Sequence, residues 1–92
     1  MAHYEIKFSA LFRKQLKAAK KRGKVLTKLQ KIIDLLADDT MLPAKYRDHA
    51  LEGRWVNHRE CHIEPDWLLI YYKQEDVLVL TLVATGSHSD LF

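Results

Sequence analysis

The chain has 92 residues, 48% of them hydrophobic and 29% charged, with a single cysteine. That suits one soluble domain over 1–92 with a small core, and it excludes an internal disulfide or a zinc site built on paired cysteines. The longest apolar runs, Trp67–Tyr72 and Val77–Ala84, are far shorter than the roughly 20 residues of a membrane span. The opening Met1–Lys7 has no apolar signal region, so a cytoplasmic location with no membrane partner is expected. A net charge of +3 hides a division: residues 1–31 carry ten Lys and Arg against Glu5, a balance of +9, and residues 32–92 balance to −6. A basic segment of this kind attracts polyanions, although a solvated lysine-rich helix face or an acidic protein partner would account for it equally well.

In chain order, His3–Phe8 alternates weakly and predicts a first strand. Ser9 is placed to cap a helix that runs to about Arg22. Phe8, Phe12, Leu16 and Ala19 share one side at helical spacing, while Arg13, Lys17, Lys20 and Lys21 share the other. Gly23 stops this helix because it takes a positive φ without steric cost. Val25, Leu26, Leu29, Ile32, Ile33 and Leu36 form the stripe of a second helix over 24–38, and the short connection predicts an antiparallel hairpin. Asp38-Asp39-Thr40 and Pro43 end it, and Met41–Gly53 reads as irregular. Arg54–Glu64 and Trp67–Lys73 are predicted strands joined at the turn-forming Pro65-Asp66. After Gln74-Glu75-Asp76, Val77–Thr85 is a third strand, nearly all apolar and therefore central. Ser87–Phe92 is expected to form a helical turn. The order strand, helix, helix, three strands predicts an α+β fold with helices packed on one sheet face.

Four of the five histidines lie within His49–His88, so metal binding is the first chemistry to test. On a strand His58 and His62 share a face but stand about 13 Å apart, at roughly 3.3 Å per residue, too far to share an ion. Cys61 and His62 point to opposite faces. No metal or cofactor is expected, and neither a glycine-rich phosphate loop nor a Gly-x-Ser-x-Gly elbow is present. What remains is metal-free acid–base chemistry. His49, His62, Asp66 and His88 all fall at element junctions and are able to converge at one edge of a small sheet. Scattered exposed histidines are the commoner arrangement. Imidazole both takes and gives protons near neutrality, which are the two functions that RNA cleavage by its own 2′-hydroxyl requires.

Three segments in this order carry a family resemblance: Asp48-His49-Ala50-Leu51-Glu52-Gly53-Arg54-Trp55, then Arg59–Tyr71 with Glu60-Cys61-His62-Ile63-Glu64-Pro65-Asp66-Trp67 at its heart, then Thr85-Gly86-Ser87-His88-Ser89-Asp90-Leu91-Phe92. Together they resemble the YafQ branch of the RelE toxin superfamily, over the whole chain. The resemblance implies a ribosome-dependent mRNA endoribonuclease, the toxin of a type II toxin–antitoxin pair, which cuts without metal and leaves a 2′,3′-cyclic phosphate and a 5′-hydroxyl. Carried over position by position, the catalytic set is His49, His62, Asp66 and His88, and Phe92 helps to hold substrate. Trp67 matches as well, either against substrate or as a buried anchor, with the anchor favoured. The resemblance further implies that Asp66 or His49 takes the 2′-hydroxyl proton, His88 protonates the 5′-oxygen, and a cationic His62 offsets phosphate charge. A carboxylate near its ordinary pKa of about 3.9 is a poor base, so Asp66 requires a raised pKa or else orients a histidine.

Arg54 and Arg59 are candidates for RNA contact, against the alternative of pairing with Glu52, Glu60 or Glu64; Glu64 reads as structural. The stripe Arg13, Lys17, Lys20 and Lys21 is assigned to ribosomal RNA. The implied partners are the ribosomal A site with its 16S-type rRNA and message, and an antitoxin with an acidic toxin-binding segment and a ribbon–helix–helix DNA-binding part. The alternative is a non-catalytic module of the same fold that binds nucleic acid or a partner, with incidental histidines.

Overall fold

The computed structural model describes residues 3–92; Met1 and Ala2 lie outside the described residues. In order it contains β1 (Glu5–Phe8), α1 (Ala10–Lys21), α2 (Leu26–Ala37), a 3-10 turn (Ala44–Tyr46), β2 (His49–Ala50), a second 3-10 turn (Gly53–Trp55), β3 (Arg59–Glu64), β4 (Trp67–Gln74), β5 (Val79–Gly86) and α3 (His88–Leu91). The sheet order is β1-β5-β4-β3-β2. β1 runs parallel to β5, and every other pairing is antiparallel. The nearly all-apolar β5 is thus an interior strand, as its composition requires.

Local chemistry explains the first half. The Ser9 hydroxyl accepts from Phe12 N at 2.9 Å, satisfying one free N–H of α1, and donates to Val83 O at 2.6 Å, which pins the helix start to β5. Gly23 closes α1 with φ +82°, a left-handed geometry that costs glycine nothing.

Both sheet faces are covered, which is why Trp67–Tyr72 shows no alternation. Cys61, Ile63, Trp67, Leu69, Tyr71, Leu80 and Leu82 pack against Phe12 of α1 and Leu29, Ile32 and Leu36 of α2. On the opposite face Leu68, Ile70 and Ala84 pack against Leu91 of α3, with Leu51 and Trp55 beside them. The long helices occupy one face as expected; the second face is closed by the short α3 and the 51–55 segment.

Four expectations need correction. β3 begins at Arg59 rather than Arg54, because Gly53–Trp55 forms a 3-10 turn and Asn57 sits at φ +68°. β5 begins at Val79 rather than Val77, because Leu78 adopts φ +53°. Met41–Gly53 is not wholly irregular: it holds a 3-10 turn and β2. Phe8 and Val25, read as parts of the helical stripes, are 45% and 52% exposed; Phe8 ends β1 and stacks on Phe12 at 5.8 Å between ring centroids.

Candidate active site

The β2–β3 register sets His49 opposite Glu60, so their side chains meet on one face of the antiparallel pair. His62 lies two residues further along β3, on that same face. Glu60 pairs with Ile70 and His62 with Leu68, which places this face on the α3 side of the sheet, away from α1 and α2. Pro65-Asp66 turns the chain from β3 into β4. Gly86, the last residue of β5, pairs with Leu68, so α3 starts beside that turn. Ser87 caps α3 through a reciprocal arrangement with Asp90. Three chain segments are thereby drawn to one end of the sheet, and they bring His49, His62, Asp66 and His88 together.

The contacts are close. His88 donates its backbone N–H to Asp66 Oδ1 at 2.9 Å, and its Nδ1 lies 3.0 Å from the same oxygen. These bonds, the backbone one foremost, hold the Asp66 carboxyl below the usual carboxylate range. Asp66 is therefore a weaker base than an ordinary aspartate. A carboxylate oxygen accepts, so Nδ1 of His88 donates to it, and Nε2 is the ring nitrogen left without a hydrogen-bond partner among the described residues. The His62 ring stands 5.8 Å from His88 and 6.4 Å from His49, and Phe92 stands 6.2 Å from His88, all between centroids.

The residue that sequence reading missed is Glu60. It is only 3% exposed, and its Oε1 lies 3.1 Å from His49 Nε2 and 3.4 Å from His62 Nε2. The other nitrogens face backbone carbonyls: Nδ1 of His49 is 3.2 Å from Ala50 O, and Nδ1 of His62 is 3.3 Å from Pro65 O. A carbonyl oxygen only accepts, so each of these Nδ1 contacts uses an N–H of the ring, and the Nε2 of both histidines faces the buried carboxylate. The second Glu60 oxygen is buried and makes no hydrogen bond among the described residues, a costly state that an arriving donor would relieve. The sequence signal is an acid two residues before His62 on a strand, which by itself reads only as a partner for an arginine.

The remaining assignments divide. Trp67 is buried in the core, and its indole N–H donates to Thr85 Oγ1 at 3.0 Å, the position of an anchor for the sheet. Arg59 pairs with Asp48 at 3.1 Å, a partner not among those expected, and Glu64 is held by Lys24 and Lys28 at 2.9 and 2.8 Å. Arg54 lies on the second 3-10 turn with its guanidinium 5.4 Å from the Trp55 ring. Arg13, Lys17, Lys20 and Lys21 are exposed on α1, which packs on the sheet face opposite to the histidines. They do not belong to the cluster.

His49, Glu60 and His62 bring one donor atom each within 4.8 Å of one another, a set of two imidazoles and a carboxylate able to bind a divalent transition metal. Spacing arguments confined to His58, Cys61 and His62 could not find it, because His49 reaches the site only through the β2–β3 pairing. Cys61 is buried on the other face, and burial pushes its thiol far above the ordinary range, so it is neither nucleophile nor ligand.

Fold and cluster together define a RelE-type α+β protein with a histidine–carboxylate site. The family described as bacterial toxin of type II toxin–antitoxin system, YafQ, matches residues 4–92. The mRNA interferase toxin YafQ of Escherichia coli K12 is 44% identical over 93 residues, covering 100% of this chain and 99% of the relative. In the crystal structure of the E. coli DinJ–YafQ toxin–antitoxin complex, the matching chain superposes with a TM-score of 0.89 at 40% identity, covering 98% of each chain. A metal-bound toxin from Helicobacter pylori superposes with a TM-score of 0.91 at 43% identity, covering 97% of this chain and 99% of that one. The chain belongs to the YafQ toxin family.

Proposed function

We propose that this protein is an mRNA endoribonuclease toxin that cuts translated messages in the ribosomal A site and is silenced by a cognate antitoxin in the cytoplasm. The observation that carries the reading is the joining of His49, Glu60, His62, Asp66 and His88 into one continuous cluster. It places groups able to accept and to donate a proton around one space.

In the proposed reaction the 2′-oxygen attacks the adjacent phosphorus. Its proton passes to the His49–Glu60 pair in the form that holds no proton between Nε2 and Oε1, and the 3.1 Å contact then carries it. His62 offsets the charge that develops on the phosphate oxygens. His88, held by Asp66 through Nδ1, gives a proton from Nε2 to the departing 5′-oxygen. The P–O5′ bond breaks as the P–O2′ bond forms, leaving a 2′,3′-cyclic phosphate and a 5′-hydroxyl, and no water is consumed. Phe92, exposed beside His88, offers a face for a base to stack on.

The ribosome supplies what a protein of this size lacks, a fixed path for a flexible message. The exposed α1 cations lie on the far side of the sheet from the reaction, a placement suited to ribosomal RNA rather than to the message. The antitoxin is expected to be acidic where it meets the toxin and to carry a ribbon–helix–helix segment; the E. coli relative solved with DinJ supports an antitoxin partner. A metal seated on His49, Glu60 and His62 would occupy the groups that move the first proton and would therefore inhibit.

The test is primer extension on translated messages with wild-type protein and His88→Ala. The wild type should cut only where ribosomes are present. His88→Ala should fold normally, since its ring is exposed, and should not cut. Full cleavage by that variant would remove His88 from the mechanism.

A further inference from the structure

We propose that the cavity at the open edge of β3 is a second phosphate site, which holds the backbone phosphate of the nucleotide next to the scissile one in a single-stranded RNA. The proposal rests on the reading of the chain as an RNA-cleaving enzyme.

β2 pairs only with Arg59 and Glu60, so the His62–Glu64 end of β3 extends beyond it. There, between β3, α2 and the 3-10 turn at Ala44–Tyr46, lies a cavity of about 500 Å³ whose lining includes Lys28, Lys31, Lys45, Tyr46, Arg47 and His62. Four full cations face one lining carboxylate, Glu64. Lys28 and Glu64 are bound to each other at 2.8 Å and largely cancel. Lys31, Lys45 and Arg47 make no ion pair among the described residues, so three uncompensated positive charges share one concavity. Such an arrangement repels itself in the free protein and is relieved by a polyanion.

Two features favour RNA over an acidic peptide. Tyr46 is half-buried in the lining with Lys45 Nζ 5.1 Å from its ring, which sets an aromatic face beside a cation, the pairing that single-stranded nucleic acid uses for base and backbone. His62 belongs to the cavity and to the reaction cluster alike, its ring 6.4 Å from His49 and 5.8 Å from His88. A strand lying in the cavity therefore delivers its next phosphodiester to the histidines without a break. Arg47 is also held at φ +50°, a conformation that costs a side chain with a Cβ energy and that glycine or asparagine would adopt more cheaply.

The experiment measures binding of a uniformly 2′-O-methylated RNA decamer, which has no 2′-hydroxyl to react, as a function of KCl. The proteins are the full wild-type chain, Lys31→Gln/Arg47→Gln, and Lys7→Gln as a cation-deletion control on β1 at the far edge of the sheet. Each single-strand phosphate neutralised contributes about 0.7 to the slope of log affinity against log salt. The double variant should lose about 0.7 to 1.4 of that slope and bind about tenfold or more weakly at low salt, with Lys7→Gln matching wild type. Parallel slopes for the double variant and wild type, or a wild-type chain that does not bind the decamer, would overturn the proposal. A double variant with unaltered RNA binding but weakened antitoxin binding would also overturn it, by assigning the cavity to the antitoxin. If the slopes differ as expected but the wild type never cuts translated message, the phosphate site stands and the cleavage reading fails.

Discussion

Replacing Trp67 with Phe separates two roles that its sequence motif left open. The indole N–H donates to Thr85 Oγ1 at 3.0 Å, and that hydroxyl donates onward to Leu68 O at 2.7 Å, all buried. Phenylalanine removes the first bond and leaves the second, so one buried acceptor is unmet at about 1 kcal/mol. The smaller ring also opens a void beneath α1 and α2. Truncating a buried aromatic to alanine costs roughly 3–5 kcal/mol, and the smaller step to phenylalanine about 1–2 kcal/mol of that. The total is about 2–3 kcal/mol, and in a domain of this size each kcal/mol moves Tm by roughly 4–8 °C, so a drop of about 10–20 °C is expected. Cleavage by the folded variant, assayed well below its Tm, should stay within about twofold of wild type. Had Trp67 stacked on a base, the loss of about 1–3 kcal/mol would fall on substrate, roughly 5- to 150-fold in KM, with Tm nearly unmoved. Thermal unfolding followed by circular dichroism, run beside the cleavage assay, distinguishes the two. A Tm within about 3 °C of wild type together with tenfold slower cleavage would refute the core assignment.

Phe92→Ala should show the opposite signature: the ring is 61% exposed, so Tm should hardly change while KM rises by the loss of stacking, and wild-type kinetics would take Phe92 out of substrate contact. Asp90 is drawn down to about 2 by Arg22 and by the Ser87 cap. A carboxyl depressed in the folded state stabilises it above the unfolded value and loses that contribution as pH falls through the folded one. The cap of α3 should therefore persist below pH 4 and fail near pH 2, and Arg22→Gln should move the Asp90 titration upward. An NMR titration midpoint for Asp90 near the ordinary carboxylate value would contradict this.

The elements with strong local signals were legible. Ser9 as cap, Gly23 as stop, the apolar stripe from Leu29 to Leu36 and the turn at Pro65-Asp66 all state their geometry within a few residues. The missed boundaries are where backbone conformation overrides side-chain pattern: Asn57 and Leu78 take positive φ without being glycine, and nothing in a hydrophobic run announces that. β2 is two residues long and exists only through its pairing with β3, so no local pattern could reveal it. The same pairing explains why Glu60 was overlooked. Its partner His49 is eleven residues away and meets it only through strand register, whereas His62, Asp66 and His88 sit at junctions that motif and topology pointed to directly. Charge misled in a related way: the strongest basic stripe, on α1, lies across the sheet from the cluster, while the cations that share a cavity with His62 are spread over α2 and the first 3-10 turn.

The precision with which α3 must be seated is open to a single-atom test. A Cβ built on Gly86 would lie 2.9 Å from both Cβ and Oδ2 of Asp90 and 3.3 Å from its Cγ. Asp90 is not free to swing aside, because its Oδ2 accepts from Ser87 N and from Arg22 Nη1, each at 2.9 Å. Gly86 itself has no left-handed backbone to protect, so alanine there costs nothing in φ, and the whole penalty is the collision. The relief available is a shift of the first turn of α3, which carries His88 away from the Asp66 oxygen that holds both its backbone N–H and its Nδ1. Gly86→Ala should therefore slow cleavage about tenfold or more through misplacement of the proton donor, while the sheet, whose core lies elsewhere, keeps most of its stability. Removing the obstructing atoms with Asp90→Gly in the same chain should restore part of the rate despite the lost cap, an outcome that simple destabilisation would not give. A Gly86→Ala variant that cuts as fast as wild type would mean that the His88–Asp66 contact tolerates displacement, and the role of Asp66 as the holder of His88 would then be lost.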